Sequence, residues 1–138
     1  MWLEFPHDSS TGHLDRQYML GSNLLVAPVF SAEGTVDYYL PEGDWHALLA
    51  SPAVQPGVGP DAGSGVGETV VGARWHHETH GFATLPLLVR PDSVVPLGAH
   101  DDTVEYDWAD GVTLLVSELS DGHDSSVVVP GAGGDVTF

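Results

Sequence analysis

The sequence predicts a mainly β protein organised around an antiparallel β-sandwich. Short runs rich in branched and aromatic residues recur along the chain, at residues 36–40, 45–49, 84–90, 94–97, 104–108 and 112–119. Most are bounded by Gly, Pro, Asp or Ser, the residues that end strands and make turns. Repeated short strands with frequent turn signals are the pattern of a sandwich.

Taken in order, residues 13–20 have room for one or two helical turns, and no helix is strongly signalled anywhere. Residues 24–30, Leu-Leu-Val-Ala-Pro-Val-Phe, are continuously apolar rather than alternating. A strand buried on both faces reads this way, as in a parallel barrel. Residues 1–30 are therefore expected to lie outside the sandwich, and their removal to leave a more soluble remainder. The stretch from Ser51 to Gly72 is dense in Gly and Pro, a composition that resists packing and reads as a flexible surface loop. Residues 104–108, Val-Glu-Tyr-Asp-Trp, alternate apolar and acidic as a strand with one face on a core should. Asp110-Gly111 after them is a hairpin signal.

Composition narrows the function. The chain of 138 residues suffices for a domain of ordinary size. A complete eight-stranded barrel, which takes about 250 residues, exceeds it. With no cysteine, neither a disulfide framework nor a thiolate metal site is available. Twenty acidic residues face only Arg16, Arg74 and Arg90, with no lysine, for a formal charge of -17. Phosphate backbones need cations that such a surface lacks, so nucleic acid is not an expected partner. Self-repulsion at low salt, relieved as ions screen it, points to a salt-adapted protein or to an acidic composition set by a GC-rich genome. No stretch approaches the ~20 apolar residues of a membrane span, and no basic leader precedes Trp2-Leu3. A soluble, cytoplasmic chain without a membrane partner is expected.

Five motifs in order carry a resemblance over nearly the whole chain. They are Glu4-Phe5-Pro6, Asp15-Arg16-Gln17-Tyr18-Met19-Leu20-Gly21, Leu24-Leu25-Val26-Ala27-Pro28-Val29, Tyr39-Leu40-Pro41-Glu42-Gly43-Asp44-Trp45 and the run from His80-Gly81-Phe82 through Leu85-Pro86-Leu87-Leu88-Val89-Arg90. In this order they resemble the enzymes of glycoside hydrolase family 31, and within that family the bacterial α-xylosidases. The resemblance implies that residues 1–30 are the end of a (β/α)8 catalytic barrel, with residues 24–30 as its last strand. It implies a proximal C-terminal β-sandwich over residues 31–117 and the start of a distal β-sandwich over residues 118–138. The activity implied for the intact enzyme is retaining hydrolysis of terminal α-xylosides or α-glucosides, with no cofactor.

Retaining glycosidases need two carboxylates about 5–5.5 Å apart, one attacking the anomeric carbon and one protonating the leaving oxygen. The resemblance places both aspartates on barrel strands that precede this chain, so no catalytic residue is assigned within it. Asp101, Asp102, Asp107 and Asp110 are expected as solvated surface charges, and Asp15-Arg16 as a buried pair or a cap. Glu4 and Phe5 are the candidate substrate-binding residues, because the C-terminal ends of barrel strands face the active site. No metal ligand set is assigned. His76-His77-Glu78-Thr79-His80 is one residue short of the His-Glu-x-x-His order. On a strand, His76, Glu78 and His80 share one face, where packing and hydrogen bonding are the expected roles. The alternative reading is a non-catalytic module, either carbohydrate-binding or a subunit completing a split glycosidase whose barrel is on another chain. Trp45, Trp75 and Trp108 are its candidate stacking surfaces, although aromatics in a sandwich more often fill the core.

Overall fold

The computed structural model describes residues 1–49 and 67–138. Most of the expected loop at 51–72 lies outside them. The chain divides into two compact units, Met1–Pro91 and Asp92–Phe138.

Among the described residues of the first unit a 3-10 helix, Ser9–His13, precedes seven strands: β1 Tyr18–Leu20, β2 Leu24–Val26, β3 Thr35–Leu40, β4 Asp44–Ala47, β5 Thr69–Val71, β6 Arg74–Thr79 and β7 Leu87–Val89. Five of them form a sheet of order β1-β2-β7-β4-β5, and β3 pairs with β6 in a two-stranded ribbon. Every pairing is antiparallel. The core cluster draws Leu25, Trp45 and Leu88 from the sheet and Val36, Tyr38 and Leu40 from the ribbon, with Ala27 between them in sequence. Sheet and ribbon therefore share one apolar interior, as the sandwich expectation requires.

β2 corrects the expectation for residues 24–30. Leu24–Val26 is not flanked by parallel neighbours: it runs antiparallel between Tyr18–Leu20 and Leu87–Val89. Its continuous apolar character comes from a central place in the sheet, where Leu25, Val26 and Ala27 are all buried. Such a position excludes water from both faces whatever the direction of the adjacent strands. Likewise, residues 13–20 are not helical beyond His13. They lead into β1, and the turn to β2 uses Gly21 at φ +65°, a left-handed conformation that costs glycine nothing.

Trp45 anchors the core with no exposed surface, and its indole N–H donates to the Pro41 carbonyl at 3.0 Å. Burying a tryptophan removes 150–250 Å² from water, or about 4–6 kcal/mol at ~25 cal/mol/Å². Gly34 closes the far end of the ribbon, accepting from His80 N–H at 2.9 Å. Its φ is +80°, and a side chain there would collide with the His80 carbonyl.

The second unit is a pair of hairpins. β8 Ser93–Leu97 pairs with β9 Thr113–Ser117, and β10 Val128–Val129 pairs with β11 Val136–Thr137, both antiparallel. Residues 104–108 are not the strand that their alternation predicts. Val104 is 80% exposed, and Trp108 folds back to donate its indole N–H to the Val104 carbonyl at 3.1 Å. Alternation makes a strand only when a partner edge is within reach, and here β8 and β9 pair with each other. The hairpin signal at Asp110-Gly111 does fall on a turn, with Gly111 at φ +69° two residues before β9.

Candidate functional site

The β3–β6 ribbon carries the side chains with the most chemistry, and its register sorts them onto two faces. Asp37 stands opposite His77 and Tyr39 opposite Trp75; Val36 stands opposite Glu78 and Tyr38 opposite His76. Because side chains alternate across a strand, Val36, Tyr38, His76 and Glu78 point inward. Asp37, Tyr39, Trp75 and His77 point outward.

On the inner face the Tyr38 hydroxyl donates to Glu78 Oε1 at 2.5 Å, and Glu78 Oε2 lies 2.8 Å from His80 Nε2. A carboxylate can only accept, so Nε2 of His80 carries the proton; its Nδ1 faces the Thr84 hydroxyl at 3.2 Å. Burial, and then the hydrogen bond and charge of Glu78, push the Tyr38 phenol well above the ordinary tyrosine range. The phenol is therefore a neutral donor rather than a nucleophile. The His76 ring stacks on Tyr38 at 5.3 Å and donates through Nε2 to the Val71 carbonyl at 3.0 Å. Burial is the largest influence on His76 and lowers its pKa below 6.5, which favours the neutral ring. His76, Glu78 and His80 do share one face as expected, and there they pack and hydrogen-bond. No group of three metal-ligating side chains converges among the described residues.

The outer face is partly covered by the N-terminal segment. Gln17 is buried and bonds both backbone groups of Tyr39, donating to its carbonyl at 2.7 Å and accepting from its N–H at 2.8 Å. It thus pairs with β3 as a one-residue strand would. The Tyr39 hydroxyl donates to Asp8 Oδ2 at 2.9 Å, while Asp8 Oδ1 caps the 3-10 helix by accepting from Ser10 N–H. Trp75 stays 59% exposed beside a cleft of about 260 Å³, whose walls include Asp15, Arg16, Gln17, Phe30 and Asp37. Asp15 and Arg16 are exposed residues of that cleft, not a buried pair.

Glu4 and Phe5 are brought together by Arg90, which sequence reasoning did not single out. The Arg90 guanidinium lies 4.7 Å from the Phe5 ring centroid, and its Nη1 is 3.3 Å from Glu4 Oε2. Phe5 also contacts Trp45 at 6.2 Å between ring centroids, so it is a wedge into the core. Glu4 is exposed, and a surface pair of this kind contributes at most about 1 kcal/mol. The scarcity of cations was the available signal: Arg90 is one of three in the chain. The candidate stacking residues separate too. Trp45 is core, whereas Trp75 and Trp108 are exposed. Asp101, Asp102, Asp107 and Asp110 are surface residues, and Asp107 Oδ1 accepts from the backbone N–H groups of Ala109 and Ala132.

The likeness to known proteins is consistent along the chain. An α-xylosidase of Emericella nidulans is 44% identical over 124 residues, which is 85% of this chain and 14% of that protein. An α-xylosidase of Lactiplantibacillus pentosus is 33% identical over 98% of this chain and 16% of its own length. The chain thus spans about one-seventh of the length of these curated relatives. Among solved structures, the Flavobacterium johnsoniae GH31 dextranase superposes with a TM-score of 0.74 at 24% identity, covering 96% of this chain and 15% of that one. The GH31 α-xylosidase of Xanthomonas citri superposes with a TM-score of 0.65, covering 94% and 12%. These two establish a shared fold. Residues 1–95 match the family model for the glycosyl hydrolase family 31 C-terminal domain, and the chain belongs to that family.

Proposed function

We propose that the chain is the C-terminal portion of a retaining family 31 α-glycosidase whose intact activity is α-xylosidase. The 44% identity over 85% of the chain to a protein named as an α-xylosidase supports this reading more than any other observation. Hydrolysis with retention needs a nucleophilic carboxylate and an acid/base carboxylate about 5–5.5 Å apart. In this reading the barrel supplies both, on the same chain or on a second one, and acts on terminal α-xylosides or α-glucosides. The part played by residues 1–138 is support. Phe5, held between Arg90 and Trp45, anchors the segment Glu4-Phe5-Pro6 to the sandwich. A displacement of even 1 Å at a reacting centre costs on the order of 10²-fold in rate, so a rigid anchor has catalytic value without touching the chemistry.

The test is a chimera in which these residues replace the matching segment of the Emericella nidulans α-xylosidase. It is expected to hydrolyse an aryl α-xyloside faster than the corresponding α-glucoside. A folded chimera without activity on the xyloside would remove the assignment of these residues as the supporting C-terminal portion of such an enzyme. The 138-residue chain alone is expected to be inactive on both substrates. Turnover that survives repurification would overturn the proposal that the chemistry lies elsewhere.

A further inference from the structure

The outer face of the β3–β6 ribbon holds a feature that barrel support does not require. Trp75 is a large aromatic left in solvent on a strand whose inner-facing neighbours are partly covered. It is also held firmly. Its ring meets Tyr39 at 5.8 Å with a tilt of 58°, and Tyr39 is fixed at its backbone by Gln17 and at its hydroxyl by Asp8. A second exposed aromatic, Phe30, lines the same cleft.

The polar lining suits hydroxyl groups. Asp15 and Asp37 offer carboxylate acceptors and Arg16 a planar set of donors. Asp37 is steadied by His77, whose Nδ1 lies 2.7 Å from Asp37 Oδ1. A pyranose ring has matching chemistry: a face of C–H groups that packs on an aromatic plane, and a perimeter of hydroxyls that both donate and accept. A volume of about 260 Å³ falls just below the ~300–1,000 Å³ of sites for drug-sized ligands, a size appropriate to one sugar ring. The two acidic walls, on a chain of net charge -17, disfavour an anionic ligand. Two other tryptophans fit less well. Trp45 has no exposed surface, and the carboxylate oxygen beside Trp108 is engaged by backbone N–H groups.

We propose that the cleft around Trp75 is a binding site for an uncharged pyranoside, with one sugar ring stacked on the indole and its hydroxyls held by Asp37, Asp15 and Arg16. The choice of α-xylosides and α-glucosides as ligands rests on the proposed glycosidase; the chemistry of the cleft does not. Titration of the ¹⁵N-labelled full chain with methyl α-D-xylopyranoside and methyl α-D-glucopyranoside tests it. A saturable shift of the Trp75 indole signal is expected, with a Kd on the order of 1 mM, while the Trp45 signal stays in place. Read on the backbone amide signals of Asp15 and Arg16, which line the same cleft, Trp75→Ala should abolish the saturable response, Trp75→Phe should weaken it, and Asp37→Asn should raise the Kd several-fold. Glucuronate should bind measurably less than either glycoside. The proposal is overturned by the absence of a saturable Trp75 shift in the wild-type chain, by a response centred on Trp108, or by equal binding of glucuronate. Because the readout is binding, an inactive chimera would leave a positive result standing, and a silent Trp75 would leave the chimera's activity unaffected.

Discussion

The two units of the chain hold themselves together by different means. In Met1–Pro91 the buried apolar set is extensive, with Leu25, Ala27, Val36, Tyr38, Leu40, Trp45 and Leu88 in one cluster. In Asp92–Phe138 it shrinks to Val94, Val95 and Val129, under two hairpins. A two-stranded hairpin is marginal on its own, and the second unit adds tethers from carboxylates to backbone. The Asp92 carboxylate accepts from both the backbone N–H and the hydroxyl of Ser120, and Asp107 accepts from Ala109 and Ala132. Charge is divided as unevenly. Arg16, Arg74 and Arg90 all belong to the first unit, whereas Asp92, Asp101, Asp102, Glu105, Asp107, Asp110, Glu118, Asp121, Asp124 and Asp135 crowd the second with no Lys or Arg. Where apolar burial is thin, acidic side chains serve as tethers and also generate repulsion.

Deleting residues 1–30 is the most severe way to probe this contrast. The deletion removes β1 and the central strand β2, leaving β7 unpaired on one edge and the core without Leu25 and Ala27. The first unit is expected to unfold and aggregate, by loss of circular-dichroism signal and by light scattering. A soluble, monodisperse remainder would mean that residues 31–91 form a core without β2, as the barrel assignment of residues 1–30 anticipates.

Next in size is a pair of core truncations. Trp45→Ala should cost about 3–5 kcal/mol, the range for large aromatic-to-alanine changes. Val129→Ala removes two methyl-sized groups and should cost no more than about 1–2 kcal/mol at ~0.8 kcal/mol per group. Urea denaturation of both variants reads the difference. Equal losses would erase the distinction between an apolar unit and a tethered one.

Salt should act more strongly on the second unit. Raising KCl toward 1 M shortens the screening length to ~3 Å and relieves repulsion among carboxylates in a unit that contains no Lys or Arg. Its amides are expected to gain more protection from hydrogen exchange with added KCl than those of the first unit. A thermal midpoint and an exchange pattern both flat in KCl would remove the salt-adaptation inference and leave genome composition as the account of the acidity.

The smallest effects are those of pH, and they differ in window between units. His76 is held neutral by burial, with its pKa lowered from 6.5, so it favours the unfolded state once protons bind there. Its contribution is whole above pH 6.5 and is lost as pH falls from 6.5 through the lowered folded value. Asp92 is lowered from 3.8, first by the backbone N–H of Ser120 and then by its hydroxyl. Its stabilisation is therefore present above pH 3.8 and lost as pH falls through the depressed folded value. His76→Gln should flatten the decline below pH 6.5 without altering the one below pH 3.8, and Asp92→Asn should do the reverse. Overlapping titrations of the two variants would contradict the separation.

Several features were legible in the residues alone. The ordered motifs from Glu4-Phe5-Pro6 to Val89-Arg90 carried the family, because a long collinear set of specific residues does not recur by chance. Branched and aromatic runs closed by Gly and Pro carried the β class, since backbone propensity and turn chemistry are local. The net charge of -17 is a sum over residues and needs no fold. Tertiary structure alone decided the rest. The apolar run at residues 24–26 reports burial on both faces, which parallel and antiparallel central strands share, so only the pairing with Leu87–Val89 revealed its direction. Trp45 and Trp75 are the same residue type in one unit, on β4 of the five-stranded sheet and β6 of the ribbon, yet one is core and the other lies in solvent beside a cleft. That difference depends on which face of each strand meets the opposing layer, and pleat phase is set by long-range register rather than by the tryptophan or its neighbours in sequence.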